Sequence, residues 1–399
     1  MKGVLFRLIL PLIGAFGISS LCFHGLVNWK TKQNENRKTI LSSFSGEHSK
    51  KIGKYINLAD TAHFLDYLGS LSAKNQLTLF GSSEFTNDSV CSYYFFPNQL
   101  NIPALGIGHA YHQSLSIYGE IMAGEPYLDR SKICILISPG WFESDGTNPE
   151  AFLEFAPNFL LNQIIFNPSI STQHKRILGR FIDDNAANFS GFSSELGYLR
   201  NSFRQGEAWK SKLFPIPLTR PKKQLKFSVK AESTTPDSTQ SSFSFTDTLQ
   251  QEIHRYSQEP RNNTIHVNDA YFSRYLKGKG KGGSDKKGNV HSIDIGENPE
   301  LKNLQVLIQF LKEKNVDASF VIQPLNPYYY NGIENLVPIL DSVESVIRQN
   351  QFPCLNMYVS DTTNYIPGTL NDVMHLGKIG WLNVNQFLYQ TYYQTDEEK

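Results

Sequence analysis

The segment Asp372-Val373-Met374-His375 sets a carboxylate three residues before an imidazole, and Leu376-Gly377-Lys378-Ile379-Gly380-Trp381 follows. That spacing puts a general base and the acid that fixes its tautomer within one short turn of chain. A base needs a group to deprotonate. Far upstream, Phe80-Gly81-Ser82-Ser83-Glu84 stops an apolar run (Leu77, Leu79, Phe80) at a glycine and two serines. A serine hydroxyl is a weak nucleophile near neutral pH, and it gains reactivity when a neighbouring imidazole takes its proton. Ser83, His375 and Asp372 are therefore the expected nucleophile, base and orienting acid. Each has a plainer reading when taken alone, since Gly-Ser-Ser after a strand is commonly a helix cap or a loop. A solitary histidine is commonly a surface or satisfied core residue. The elements that must position the three groups decide between these readings.

The apolar runs predict strands over 76–80, 101–108, 132–138, 317–322 and around 354–359. Between them, apolar spacing of three and four residues predicts helices over 58–71, 113–122, 298–314 and 337–348, with several more across 150–203. Strand and helix alternating with short links is the pattern of a doubly wound, mostly parallel α/β sheet. In such a sheet the loops after the strands gather at one rim, where ligands bind. Ser83, the glycines of Asn101-Ile102-Pro103-Ala104-Leu105-Gly106-Ile107-Gly108, Trp141, Asn326 and the Asp372/His375 pair all fall in such loops. Convergence on one rim raises the catalytic reading well above that of any single motif.

Size and composition bound what remains. A chain of 399 residues with 40% hydrophobic content can bury a large core. Its formal net charge of +1 argues for neither nucleic acid nor an acidic partner. Four widely spaced cysteines (Cys22, Cys91, Cys134, Cys354) form no Cys-x-x-Cys pair and join no histidine cluster, so no metal and no cofactor are expected. A Cys91–Cys354 disulfide is compatible with the sequence without being specified by it. Residues 8–27 are apolar and almost uncharged, close to the roughly 20 residues that span a bilayer. This predicts an uncleaved membrane anchor over 1–29, a juxtamembrane stalk and helix over 30–75, and an extracytoplasmic domain over 76–399. The domain carries a polar, flexible insertion at about 215–290. Within it, Lys277, Lys279, Lys281, Lys286 and Lys287 make a basic glycine-rich loop, for which a solvated surface is favoured over contact with anionic lipid or a phosphate polymer. No strand precedes its Gly-x-Gly rhythm, which excludes a nucleotide-binding loop.

A serine turn after the first strand, with Asp-x-x-His near the far end, resembles the SGNH (GDSL-like) hydrolases. More narrowly, Phe80-Gly81-Ser82-Ser83-Glu84, Ser138-Pro139-Gly140-Trp141-Phe142 and Asp372-Val373-Met374-His375-Leu376-Gly377-Lys378-Ile379-Gly380-Trp381 together resemble the D-alanyl-lipoteichoic acid biosynthesis family, DltD. Asp269-Ala270-Tyr271 with Tyr275 fits as well. The resemblance implies a membrane-anchored acyltransferase or esterase that handles D-alanyl esters on teichoic acid or a similar envelope glycopolymer. It also implies a membrane-bound O-acyltransferase and a D-alanyl carrier pathway as partners. The family serine maps onto Ser83. The oxyanion is expected at the N–H groups of Ser83 and Gly108, with Gly106 the alternative, and Trp141 and Asn326 are the expected substrate contacts. Gly140 stands where the family carries a glutamine, so one side-chain donor is lost. An O-acetyl transferase or esterase on an envelope polysaccharide is the alternative chemistry. A non-catalytic scaffold for the acyltransferase is the alternative class.

Overall fold

The computed structural model describes residues 54–56, 67, 71, 76–85, 90–143, 145–155, 160–161, 163–164, 167–185, 187 and 243–394. Its centre is a six-stranded sheet whose pairings are all parallel: β1 Lys54–Ile56, β2 Leu77–Gly81, β3 Ala104–Gly108, β4 Lys132–Ile137, β6 Asp317–Ile322 and β8 Cys354–Asn356. A second, two-stranded pairing joins β5 Gly288–Asn289 to β7 Tyr330–Asn331. The main order is β1-β3-β2-β4-β6-β8. After β2 the chain moves outward to β3, then crosses back over β2 to β4, so the strand order reverses at β2. A reversal of this kind opens a crevice at the carboxyl ends of the strands.

The strands were legible because parallel sheets are covered on both faces and read as continuous apolar runs. β4 is Lys-Ile-Cys-Ile-Leu-Ile, buried from its second residue onward. Its side chains alternate between two cores, as the two-residue period of a strand requires. Ile133, Ile135 and Ile137 join one cluster with α2 Ser114–Ala123, α7 Pro299–Glu313 and α8 Val337–Gln349. Cys134 and Leu136 join the other with α1 Ser92–Gln99 and α9 Lys378–Tyr392. The architecture is thus a parallel sheet between two helical layers. Two further helices, α3 Pro149–Phe155 and α4 Thr172–Asp184, fall in the stretch expected to be helical.

Several expectations differ from the structure. The strand expected around 354–359 ends at Asn356, because the Asn356 carboxamide oxygen accepts the Tyr358 N–H (3.0 Å) and closes an Asx turn. β1 lies in a stretch assigned to the stalk, and three residues on the sheet edge leave no apolar run to detect. The second half of the stretch read as a flexible insertion holds two helices, α5 Phe245–Gln258 and α6 Asp269–Tyr275. Ser244 and Asn268 cap them, and these polar cap residues are part of the composition that made the segment resemble a loop. Cys91 and Cys354 are both buried, belong to different clusters and form no disulfide with each other. The expected anchor at 8–27 and residues 188–242 lie outside the described residues. Among those described, no helix is long and apolar enough to cross a membrane.

Candidate active site

β2 runs straight into the turn that presents Ser83. Register pairs its last residue, Gly81, with Gly108, the last residue of β3, so both strands end at the same level of the rim. The turn exposes only one of its two hydroxyls. Ser82 is buried, and its Oγ donates to the His109 carbonyl (3.0 Å). Glu84 is also buried, and its carboxylate accepts the Ser82 N–H across the turn. Ser83, between them, is exposed. Burial therefore settles which serine faces outward, a distinction the sequence made only by analogy.

Ser83 Oγ lies 3.0 Å from His375 Nε2, and His375 Nδ1 lies 2.7 Å from Asp372 Oδ2. The other carboxylate oxygen, Asp372 Oδ1, accepts the backbone N–H groups of Met374 (2.9 Å) and His375 (2.8 Å). Three hydrogen bonds thus fix the acid. Burial pushes the Asp372 carboxyl up, yet the His375 ring and those two N–H groups outweigh it, and the group sits below the usual carboxylate range. The same Asp372 hydrogen bond, reinforced by its charge and by that of Glu84, overcomes burial and raises His375 above the ordinary histidine value. A base so placed holds its proton more tightly and needs the correct tautomer, with Nδ1–H toward Asp372 and a bare Nε2 toward Ser83.

The turn that carries Asp372 and His375 is clamped from several sides. Asn371 N–H donates to the His375 carbonyl (2.8 Å), Gly377 N–H to the Thr369 carbonyl (2.8 Å) and Asn326 N–H to the Val373 carbonyl (3.0 Å). α9 begins at once, and its first turns press on the preceding loop. A Cβ on Gly377 would lie 2.4 Å from the Gly368 carbonyl oxygen, and one on Gly380 would lie 2.3 Å from that of Thr369. Behind the site, Phe85 stacks on Trp381 with centroids 6.2 Å apart, joining the segment after the serine to the helix after the histidine. Asn385 of α9 completes the tie, accepting from Ser92 Oγ (2.6 Å) and donating to the Val90 carbonyl (2.9 Å).

The remaining expected site residues fall as follows. Gly108 stands at the rim, where a Cβ would come 2.2 Å from the Gly81 oxygen. Gly106 pairs with Leu79, inside the sheet and against the Tyr93 ring. Trp141 is buried in the larger core cluster. Asn326 is fully buried, its amide donating to the Ile265 carbonyl (2.9 Å) and its oxygen accepting the Tyr328 N–H (2.9 Å). Its side chain faces protein, and its backbone steadies Val373 beside the acid. Gly140 has open space, with nothing nearer to a Cβ than Ser138 Oγ at 3.9 Å. Crowding is not what excludes a longer side chain there.

Two further groups bear on the site, one noted in the sequence only as part of Asp269-Ala270-Tyr271 and one that sequence reasoning passed over. Tyr271 of α6 is near enough to Asp372 for that charge, after burial, to help push its hydroxyl up to about 12, and Tyr330 and Tyr365 feel Asp372 in the same way. The other is a second histidine–acid pair, fully buried, in which His112 Nε2 lies 2.9 Å from Glu120 Oε2. Burial is not readable from residue spacing, and a separation of eight positions across a helix start gives no pattern to notice.

Comparison with known proteins gives the chain its relatives. The chain is 25% identical over 344 residues to Protein DltD of Bacillus subtilis (strain 168), spanning 79% of this chain and 82% of that one. It is 22% identical over 328 residues to Protein DltD of Staphylococcus aureus (strain NCTC 8325 / PS 47), spanning 77% and 78%. A family model described as DltD protein matches residues 67–393, which include all three members of the Ser83, His375 and Asp372 chain, and the protein belongs to the DltD family.

Proposed function

We propose that this protein is a membrane-anchored serine acyltransferase of the SGNH type, acting in the D-alanylation of teichoic acid or a similar envelope glycopolymer. The observation that carries the reading is the continuous hydrogen-bonded path from an exposed serine hydroxyl through His375 to a fixed carboxylate, at 3.0 and 2.7 Å. Family membership supplies the acyl group and the polymer. The apolar stretch at 8–27 supplies the anchor, with the sheet domain on the outer side of the membrane.

In this reading Ser83 Oγ attacks the carbonyl carbon of a D-alanyl ester or thioester while His375 Nε2 takes its proton. The carbon–leaving-group bond breaks, and the departing atom receives that proton. An acyl-serine ester remains. A polymer hydroxyl then attacks it as His375 removes the hydroxyl proton, which returns to Ser83 Oγ on collapse. The N–H groups of Ser83 and Gly108 meet the oxyanion, each worth roughly 3 kcal/mol where charge develops. Water competes as acceptor, so slow ester hydrolysis accompanies transfer. The polymer reaches the site beside a membrane-bound O-acyltransferase fed by a D-alanyl carrier. Replacing Ser83 by Ala should bring hydrolysis of a model ester to background and abolish covalent labelling by a fluorophosphonate, with unchanged circular dichroism. Full turnover by Ser83→Ala would remove the nucleophile assignment.

A further inference from the structure

The histidine–acid pair behind the nucleophile is not part of the Ser83, His375 and Asp372 path. His112 and Glu120 are both fully buried. Each ring nitrogen of His112 has one acceptor: Nδ1 lies 2.7 Å from the Gly81 carbonyl oxygen and Nε2 lies 2.9 Å from Glu120 Oε2. A carbonyl oxygen only accepts, so Nδ1 carries a proton whatever the state of Glu120. Burial pulls the ring toward neutrality, but the Glu120 charge and hydrogen bond, with the Gly81 carbonyl and Glu84, leave its pKa above the ordinary histidine value. The donor to Gly81 is a permanent feature of the folded protein.

Gly81 is the residue from which the serine turn departs, and its carbonyl is held on two sides. β3 presses against it at Gly108, and the loop after β3 brings His112 onto it. The same loop also holds the next residue, since the His109 carbonyl accepts from Ser82 Oγ, and the loop closes on itself through His112 N–H to the His109 carbonyl (3.0 Å). Two consecutive residues before Ser83 are therefore fixed by one short loop, and rotation of the Gly81 peptide would swing the serine away from His375. We propose that His112 is a positioning residue, gripping the Gly81 carbonyl so that Ser83 Oγ stays within reach of His375 Nε2. Glu120 orients the ring from the far side and is itself seated where Tyr67 donates to its backbone carbonyl (2.8 Å). The role in turnover rests on the assignment of Ser83 as nucleophile, whereas the contact itself does not.

Two amides of different length separate this role from simple core filling. In His112→Asn the short amide places its nitrogen near the position of Nδ1 and can still donate to Gly81. In His112→Gln the longer amide reaches toward Glu120 and leaves the Gly81 carbonyl without its donor. We expect kcat for a model ester to stay within about tenfold of wild type in the Asn variant and to fall about 100-fold in the Gln variant, the size of effect that a displacement of about 1 Å produces. KM should be unchanged in both. A Gln variant as active as the Asn variant would overturn the proposal. The wild-type protein supplies a readout free of folding and turnover: a solvent-protected Nδ1–H resonance of His112 with through-bond coupling to the Gly81 carbonyl carbon. That signal should persist in Ser83→Ala, and its absence from wild type would overturn the contact. Failure of wild type to label with fluorophosphonate while the signal is present would instead count against Ser83 as nucleophile.

Discussion

At the scale of single residues, reactivity follows from which protons are held and by what. His375 must be neutral at Nε2 to accept the Ser83 proton, and Asp372 makes that state harder to reach by raising the imidazole's pKa. The rate of ester hydrolysis should therefore rise with pH through a midpoint above about 6.5, the ordinary histidine value. Asp372→Asn removes the strongest cause of that rise, so its midpoint should move down. Its kcat should also fall by about 10^4-fold, because the amide favours the wrong tautomer. A kcat/KM profile against pH for the two proteins checks both, and a midpoint that does not move on substitution would detach Asp372 from the histidine. The meeting of Ser83, His375 and Asp372 was legible because their types and spacing are unusual together. Glu84 and His112 were not, because what makes them matter is burial beside the serine turn.

At the scale of elements, one helix borrows its cap from another. α2 begins after Gln113 with no side-chain cap of its own. The acceptor comes from α7, where Glu300 Oε1 takes the Ser114 N–H at 2.8 Å. A carboxylate at a helix N-terminus is favourable, but this one is fully buried, and burial pushes its pKa up to about 7. The folded protein then holds the Glu300 proton more tightly than the unfolded chain does. Stability from this group is present in full below about pH 4, the unfolded carboxyl range, and is lost as pH rises through about 7. Glu300→Gln should flatten that decline and leave the variant more stable above pH 7, by on the order of 2 kcal/mol after some loss at the helix end. Urea unfolding at several pH values measures it, and parallel pH slopes for the two proteins would contradict the account. The α2 and α7 helices were both readable from apolar spacing. The bond between them was not, since Ser114 and Glu300 are 186 positions apart.

At the scale of the whole molecule, the site exists only when distant parts of the chain meet. Ser83 and His375 are separated by 292 positions, and Phe85 with Trp381 and Ser92 with Asn385 tie the same two regions together behind them. Because these ties lie within one of the two cores flanking the sheet, loss of the site and loss of the fold should coincide. Fluorophosphonate labelling of Ser83 and far-UV ellipticity should fall together across a urea series, as expected of one cooperative unit. Labelling that disappears at clearly lower urea would show that the rim opens independently of the sheet. Sequence reasoning reached the sheet and its rim because buried strands such as Ile133–Ile137 announce themselves. It missed β1 and the helices of the 245–275 stretch, where short length or polar caps hide the pattern.

The strand bearing the serine stands third of six, with two strands outside it on one flank and three on the other. Unzipping that starts at either margin must strip away at least two neighbours before it reaches the Ser83 turn, so that turn goes with the body of the sheet rather than ahead of it.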